Sequence, residues 1–308
     1  MKLHSINAVE TLPSLSVVTP SYNQGSFIEA TMRSVLDQGY PGLEYIIQDA
    51  VSTDSTSDVL ARYSDCPQVR VFVEKDRGQT DGLNRGFKRA SGEILGWLNS
   101  DDLYTPGTLQ RIGEFFRDHP EADLVYGDSE IIDSEGRPER VIKSGGMTTA
   151  ELLVHQQTMV GTSYFFRRRV LDVVGPLDES LHYSMDYDFW IRLSLSFEFH
   201  YLPVVLSQFR IHPASKTSSR YHDTFLPEVI QIMRRYRGAN ASAIQRMGRW
   251  VNQGQWASWW YWEGVWDAHK SGDLALARRY ARTAGMVWPP SILRYHRLVE
   301  FVRGCLAR

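Results

Sequence analysis

The sequence predicts an α/β fold, a mixed and mostly parallel sheet flanked by helices, with a helical C-terminal extension. Three observations predict it. Short apolar runs rich in β-branched residues alternate with helix-spaced stretches from Leu15 to about Val205. Several of these runs end abruptly in polar or acidic residues, as buried strands do when they deliver side chains to the edge of a sheet. Beyond residue 215 the strand pattern stops and the charge balance reverses. Residues 1–215 carry 19 lysines and arginines against 30 aspartates and glutamates, and residues 216–308 carry 15 against 6. The expected organisation is an acidic module over 1–215 and a basic, Trp-rich helical region over 216–308.

The chain of 308 residues, 43% hydrophobic with a formal net charge of -2, can bury a sizeable core. No segment approaches the roughly 20 apolar residues of a membrane span, and the start, Met1 to Asn7, lacks the apolar run of a signal peptide. Residence in the cytoplasm is therefore expected. Cys66 and Cys305 are too few for a disulfide framework or a zinc cluster.

The first strand, Leu15 to Val18, runs into Thr19-Pro20-Ser21-Tyr22-Asn23-Gln24-Gly25, which is turn chemistry. Ile28, Met32, Val35 and Leu36 then recur at helical spacing up to the stop at Gly39-Tyr40-Pro41-Gly42. A second strand, Leu43 to Ile47, ends in Gln48-Asp49, and Ser52, Thr53 and Asp54 can cap a helix reaching about Tyr63. The strand Val69 to Val73 precedes Glu74-Lys75-Asp76-Arg77-Gly78 and a helix marked by Leu83, Phe87 and Ala90. The apolar run Ile94 to Leu98 follows, ending in Asn99-Ser100-Asp101-Asp102. Adjacent carboxylates at a strand end repel unless solvent or a cation separates them, and hard cations such as Mg²⁺ or Mn²⁺ prefer carboxylate oxygens.

Four blocks in this order and spacing carry a resemblance: Thr19-Pro20-Ser21-Tyr22-Asn23; Asp49 with Ser52-Thr53-Asp54; Asp76-Arg77-Gly78 through Asn84-Arg85-Gly86 to Gly92-Glu93; and Asn99-Ser100-Asp101-Asp102. From about Leu15 to about Lys216 the chain resembles a family 2 glycosyltransferase, with the Rossmann-like GT-A fold that binds nucleotide-sugars. The resemblance implies donor-binding roles for Thr19, Tyr22, Asp49, Arg77, Asn99 and Asp101. Thr19 and Tyr22 would hold the nucleotide through backbone and hydroxyl groups, Asp49 would accept a hydrogen bond from the base, and Arg77 would contact the diphosphate or ribose. Asp101 corresponds to the metal-binding acid of the family's DXD motif, with Mn²⁺ or Mg²⁺ bridging it to the diphosphate. Two departures stand out. Asn99 replaces the first acid of that motif, and Ala50-Val51 and Ser55 stand where relatives commonly have glycines, which predicts a reshaped loop beside Asp49.

Further along, Asp123 to Asp128 reads as a strand, and Gly127-Asp128 is either a sugar-side segment or a plain strand-end turn. A helix is expected over Thr148 to His155 and a strand over Thr162 to Phe166, with His155, Gln156 and Gln157 polar residues on the acceptor side or structural. In Ser184-Met185-Asp186-Tyr187-Asp188-Phe189-Trp190, acids open an apolar helix, where backbone N–H groups and the helix dipole stabilise them. Alignment on Tyr-Asp-Phe-Trp maps the family's general base to Asp186. Met185 takes the place of its usual acidic neighbour, and Asp188 is either a fallback base or a cap. After the strand Phe199 to Val205, the Arg210-Ile211-His212 segment resembles the family's late metal-contacting histidine, so His212 joins Asp101 as a metal residue. Pro213 to Ser219 would be a donor-covering lid.

The remaining stretch is helical: Phe225 to Tyr236 is amphipathic, and Asp273 through Ala284 looks like a hairpin arm with small residues on its packing face. The Trp-rich run Trp256 to Trp266 is either a packing face or a peripheral contact with the cytoplasmic face of the inner membrane. No nucleic-acid motif accompanies the basic charge. The expected activity is inverting transfer of a sugar from a nucleotide-diphosphate donor, UDP favoured, to a saccharide or lipid-linked saccharide in surface polysaccharide biosynthesis. A catalytically inactive nucleotide-sugar-binding scaffold and a sugar nucleotidyltransferase are the alternatives.

Overall fold

The computed structural model describes residues 11–146, 148–153, 161–213, 215–216 and 221–291. Two compact units emerge: residues 1–148 with 158–215, and residues 149–157 with 216–308. The described residues 149–153 are grouped with the helical unit.

The first unit is built on one nine-stranded sheet. Its strands are β1 (Leu15–Ser21), β2 (Leu43–Asp49), β3 (Val69–Val73), β4 (Ile94–Trp97), β5 (Leu103–Tyr104), β6 (Leu124–Ile132), β7 (Pro138–Ile142), β8 (Tyr164–Arg167) and β9 (His200–Arg210). They lie in the order β3-β2-β1-β4-β8-β6-β9-β5, with β7 on β6. The alternating half, β3 to β4, is all parallel. β6 and β9 also pair in parallel, but β8 runs antiparallel to both β4 and β6, as do β7 to β6 and β5 to β9. Parallel pairing is therefore confined to half of the eight pairings, and of the antiparallel ones only β6–β7 joins consecutive strands without a helix between them. β9 continues five residues past the predicted end at Val205, and that extension carries the chain to His212.

Six described helices accompany this sheet, α1 (Ile28–Leu36), α2 (Thr56–Ala61), α3 (Gln79–Arg89), α4 (Thr108–Asp118), α6 (Val170–Val174) and α7 (Met185–Ser194), whereas α5 (Thr149–Leu152) is assigned to the other unit. β1 is buried along its whole length, as a strand flanked by parallel neighbours must be. One core lies between β1, β2, α1 and α4 and includes Val17, Ile28, Met32, Tyr45, Leu109 and Phe116. Aromatic rings join β4, β8 and α7: Trp97 stacks on Trp190 at 5.6 Å, and Trp190 stacks on Tyr164 at 3.8 Å. Close approach of α3 to β1 requires Gly86, where an added Cβ would lie 2.2 Å from Val18 Cγ1.

The second unit contains α8 (Phe225–Tyr236), α9 (Ala243–Lys270) and α10 (Leu274–Val287). Ser242 and Gln245 form a capping box that starts α9, and Asp273 accepts the Leu276 N–H to start α10. Ala277 and Ala284 are buried where α10 meets α9. Within the Trp-rich run Trp262 is buried, whereas Trp259 and Trp266 are 45% and 37% exposed; outside it Trp288 is buried and Trp250 is 47% exposed. No described helix is long and apolar enough to cross a membrane.

Candidate active site

Parallel strands bring their carboxyl ends to a common edge, and Ser21 of β1 lies in register with Asp49 of β2 while β4 pairs with the other side of β1. Asp49 is buried, and its carboxylate accepts the Ser52 N–H at 2.8 Å and the Ser52 hydroxyl at 2.6 Å. Between them Val51 adopts φ 62°, the left-handed region, at a cost of about 1–2 kcal/mol for a residue with a Cβ. The loop thus takes a glycine-type backbone despite its valine. Ser55 is accommodated by Gly25, where a Cβ would lie 2.2 Å from Ser55 Oγ. Asn23, also left-handed, accepts the Thr53 N–H at 2.8 Å and donates its own N–H to Ser52, which laces the two loops together.

The Thr19 side chain is 0% exposed and its hydroxyl lies 3.0 Å from the Tyr45 hydroxyl, within the core. Tyr22, just beyond the strand, is 60% exposed and is the aromatic surface at this end of β1. Arg77 is also exposed, and its guanidinium reaches Glu179 at 2.5 Å. Its backbone N–H donates to Asp81, which is clamped by Arg85 at 2.8 and 3.0 Å. Arg77 is therefore a solvent-facing cation shared between Glu179 and the buried Asp81 carboxylate, which its guanidinium meets at 3.4 Å.

The acids after β4 are sorted by the fold. Asp102 is 1% exposed, and its carboxylate accepts the Arg210 N–H and the Asn99 side-chain amide, both at 2.9 Å. Burial and the adjacent Asp101 push the Asp102 carboxyl well above the usual carboxylate range, against those two hydrogen bonds. Asp101 is half-buried, and its Oδ2 lies 3.1 Å from Nε2 of His212, 111 residues later. Arg210 donates through Nε to the Asp101 carbonyl at 2.8 Å. Phe27 packs beneath, with its ring 4.6 Å from the His212 ring and 5.2 Å from the Arg210 guanidinium. Ser215 closes the turn, accepting the His212 N–H at 3.1 Å and returning its own N–H to the His212 carbonyl.

A divalent cation fits these donors. Two ligands each about 2.1 Å from one cation and at right angles lie about 3 Å apart, which matches Asp101 Oδ2 and His212 Nε2. No third His, Cys, Asp or Glu joins them among the described residues, so the rest of a coordination shell would fall to water and substrate oxygens, the usual arrangement for Mg²⁺-type sites. Asn99 stands beside this pair without adding charge, and its Oδ1 accepts from Gln79 Nε2 at 2.9 Å.

Asp186 lies half-buried in the first turn of α7, and its Oδ1 accepts the Tyr187 N–H at 2.8 Å. Its Oδ2 would lie 3.4 Å from a Cβ at Gly161, whose same position would meet the Trp97 ring at 3.0 Å, so α7 presents Asp186 close to the end of β4. Asp188 is instead 1% exposed and paired with Arg192 at 2.8 Å, which fixes it as a helix-internal ion pair and removes it as a fallback base. Met185, in place of the usual acid, is buried. Asp128 is likewise structural, accepting the Ser144 N–H and the Tyr201 hydroxyl. His155, Gln156 and Gln157 lie outside the described residues, as do Ala214 and 217–219 of the expected lid. Sequence reasoning gave no role to Gln79, Phe27 or Arg210. Only Arg210 left a signal, as the first residue of the Arg-Ile-His segment.

A family model described as Glycosyl transferase family 2 matches residues 16–175, and Glycosyl transferase family group 2 matches residues 97–295. A Rickettsia typhi protein described as an uncharacterized glycosyltransferase is 27% identical over 219 residues, 67% of each chain. A Mycobacterium tuberculosis PGL/p-HBAD biosynthesis glycosyltransferase is 30% identical over 183 residues, 58% of this chain and 69% of that protein. In a Rickettsia conorii relative the match spans only 37% of the protein's length. Among solved structures, S. aureus TarS 1–349 in complex with UDP-GlcNAc aligns with TM-score 0.62 and 18% identity over 88% of this chain and 91% of that chain. The mannosyltransferase PcManGT from Pyrobaculum calidifontis, in complex with GDP-Man and Mn²⁺, aligns with TM-score 0.61 and 17% identity over 97% of this chain and 83% of that chain. The fold is that of the GT-A glycosyltransferases. With a family match over half of its length on that fold, the chain belongs to glycosyl transferase family 2 and is a glycosyltransferase by class.

Proposed function

We propose that the chain is a metal-dependent, inverting glycosyltransferase that moves a sugar from a nucleotide-diphosphate donor, UDP favoured, to a hydroxyl of a saccharide or lipid-linked saccharide in surface polysaccharide assembly. The observation that carries the proposal is the 3.1 Å meeting of Asp101 and His212, from two distant segments, beside Asn99. Asp101 and His212 would hold Mn²⁺ or Mg²⁺, which when bound supplies positive charge to the departing diphosphate. Asp49 is oriented by Ser52 for the base, Tyr22 offers an exposed ring beside it, and Arg77 exchanges Glu179 for the diphosphate. Asn99 hydrogen-bonds the ribose without adding charge to the metal site. Asp186 takes the proton of the acceptor hydroxyl as that oxygen attacks the anomeric carbon from the face opposite the leaving group, so one displacement inverts the centre. An aspartate of ordinary basicity needs positioning and desolvation for this role, and the helix N-terminus with the Trp97 wall supplies both. The setting proposed is cytoplasmic, with the basic, Trp-rich helices at the inner-membrane surface.

The test is thermal stability of the full chain against UDP-, GDP- and dTDP-sugars, with and without Mn²⁺, for the parent and for Asp101→Ala. A donor at about 100 times its dissociation constant stabilises by about 2.7 kcal/mol. A metal-dependent shift with one donor, absent in Asp101→Ala, is the expected result. A shift that is independent of metal and survives Asp101→Ala would refute the metal assignment, and donor binding without turnover would favour the scaffold reading.

A further inference from the structure

The geometry points to a second ligand site, in the helical unit, for a phosphate group carried on a sugar ring. A cavity of about 230 Å³ lies among α8, α9 and α10, walled by Arg234, Arg237, Trp250, Gln253, Met233 and Ala257. This is smaller than the roughly 300–1,000 Å³ of sites for drug-sized molecules, so it suits one ring or one phosphate rather than an extended chain. Two arginines line it, and among the described residues no acidic one does. Burial and the charge of Arg234 pull the Arg237 guanidinium below the usual arginine range, as expected for a cation beside another cation without a counter-ion.

Arginines near a helix C-terminus commonly just complement the helix dipole. Here that task is already filled, because Arg249 donates to the Arg237 carbonyl at 3.2 Å and to the Ala239 carbonyl at 2.7 Å. Arg237 does something else. Its Nε donates to Oε1 of Gln253 at 2.9 Å. Gln253 is 3% exposed in an otherwise apolar helix contact, and its amide nitrogen is used by the Leu153 carbonyl at 2.5 Å and the Met233 carbonyl at 3.2 Å. A buried amide is costly unless every atom is bonded, and this one spends its oxygen on fixing a guanidinium. The remaining fork of Arg237 has no hydrogen-bond acceptor among the described residues, and neither does Arg234. A planar guanidinium held through Nε presents its outer N–H groups in the geometry that a phosphate accepts.

The sugar half of the assignment rests on Trp250. Its ring is 47% exposed, lines the cavity, and is set edge-to-face against buried Trp288 at 5.0 Å. Trp288 in turn needs Gly254, where a Cβ would lie 2.6 Å from its ring. Trp250 is thus a rigid, half-open apolar plate beside two cations that have no acidic partner among the described residues, able to cover the C–H face of a pyranose. The site stands independently of the transfer reaction proposed above.

Calorimetric titration of the full chain with glucose 1-phosphate, inorganic phosphate and glucose tests it. Glucose 1-phosphate is expected to bind more tightly than either fragment. Arg234→Gln, at an exposed residue whose loss leaves the fold intact, and Arg237→Gln should each weaken it by about tenfold or more, and Trp250→Ala should remove the advantage over inorganic phosphate. Arg278→Gln, an equal charge change on α10 outside the cavity, should stay within about twofold. Phosphatidylcholine vesicles doped with phosphatidic acid supply the lipid arm. Sedimentation with them that is lost in Arg234→Gln and reversed by glucose 1-phosphate identifies a lipid headgroup as the source, and binding of the soluble phosphate alone identifies a free one. Absence of saturable binding in both arms, binding that survives both arginine variants, or an equal loss in Arg278→Gln overturns the site. Inorganic phosphate binding as tightly as glucose 1-phosphate overturns its sugar half.

Discussion

Asp102→Ala should unfasten the strand that carries His212. The buried carboxylate is the acceptor for the Arg210 N–H and for the Asn99 amide, and Arg210 is itself 5% exposed. A buried N–H left without a partner costs about 1–3 kcal/mol, and loss of the second bond about 1 more. The expected destabilisation is therefore about 2–4 kcal/mol, or roughly 4–16 °C in melting temperature for a unit of this size. Asp102→Asn should behave differently. Because burial and Asp101 raise the folded pKa above the unfolded one, ionised Asp102 costs stability at neutral pH, and that cost is relieved as pH falls. Asparagine removes the charge and keeps one acceptor oxygen, so its cost should stay below about 1 kcal/mol. Calorimetric melting at pH 7, repeated with Mn²⁺ and the donor identified by the panel, reads both effects. Asp102→Ala should also reduce the donor-dependent shift, because His212 is no longer held against Asp101. An alanine variant melting within 2 °C of the parent (about 1 kcal/mol or less) would refute the bracing role, and an asparagine variant as damaging as alanine would refute the assignment of cost to hydrogen bonds.

Three further outcomes follow from the same structure. Asp186→Asn should leave donor binding nearly intact and lower turnover about 10²- to 10⁴-fold, and normal turnover in steady-state assays would remove Asp186 from the base role. Glu44 is pushed up by burial, but hydrogen bonds from Ser16, the Ser91 N–H, Arg70 and the Ser91 hydroxyl outweigh this and hold it below the usual range. Its stabilisation is then present above the unfolded glutamate pKa and lost as pH falls through the folded one, so urea unfolding of Glu44→Gln and the parent should differ at pH 7 and converge in acid. Gly86→Ala should destabilise by about 1–3 kcal/mol through overpacking against Val18, despite alanine's better helix propensity, and combination with Val18→Ala should cost less than the two single changes added together.

The strand and helix alternation up to Val73 and the acids at the end of β4 were legible because they are local: apolar period and turn chemistry are written over a few consecutive residues. The four-block order then carried the resemblance from which Asp49, Asn99, Asp101, Asp186 and His212 were singled out. What periodicity does not carry is the identity of a strand's neighbour. β5 is two residues long and β7 is highly exposed, so neither had a signal, and the length of β9 depends on pairing with β6 rather than on its own sequence.

By itself, then, the sequence determined the fold class, the basic helical extension and the chemical types gathered at the strand ends. Only the tertiary structure decided which of two adjacent acids turns inward to Arg210 and which meets His212 across 111 residues. It also decided that Thr19 belongs to the core, that Asp188 belongs to Arg192, and that an amide within a Trp-rich helix holds Arg237 toward a cavity. The physical reason is common to all of these. Burial and hydrogen-bond partnership set the role of a polar side chain, and both are properties of long-range packing that residue type and spacing do not contain.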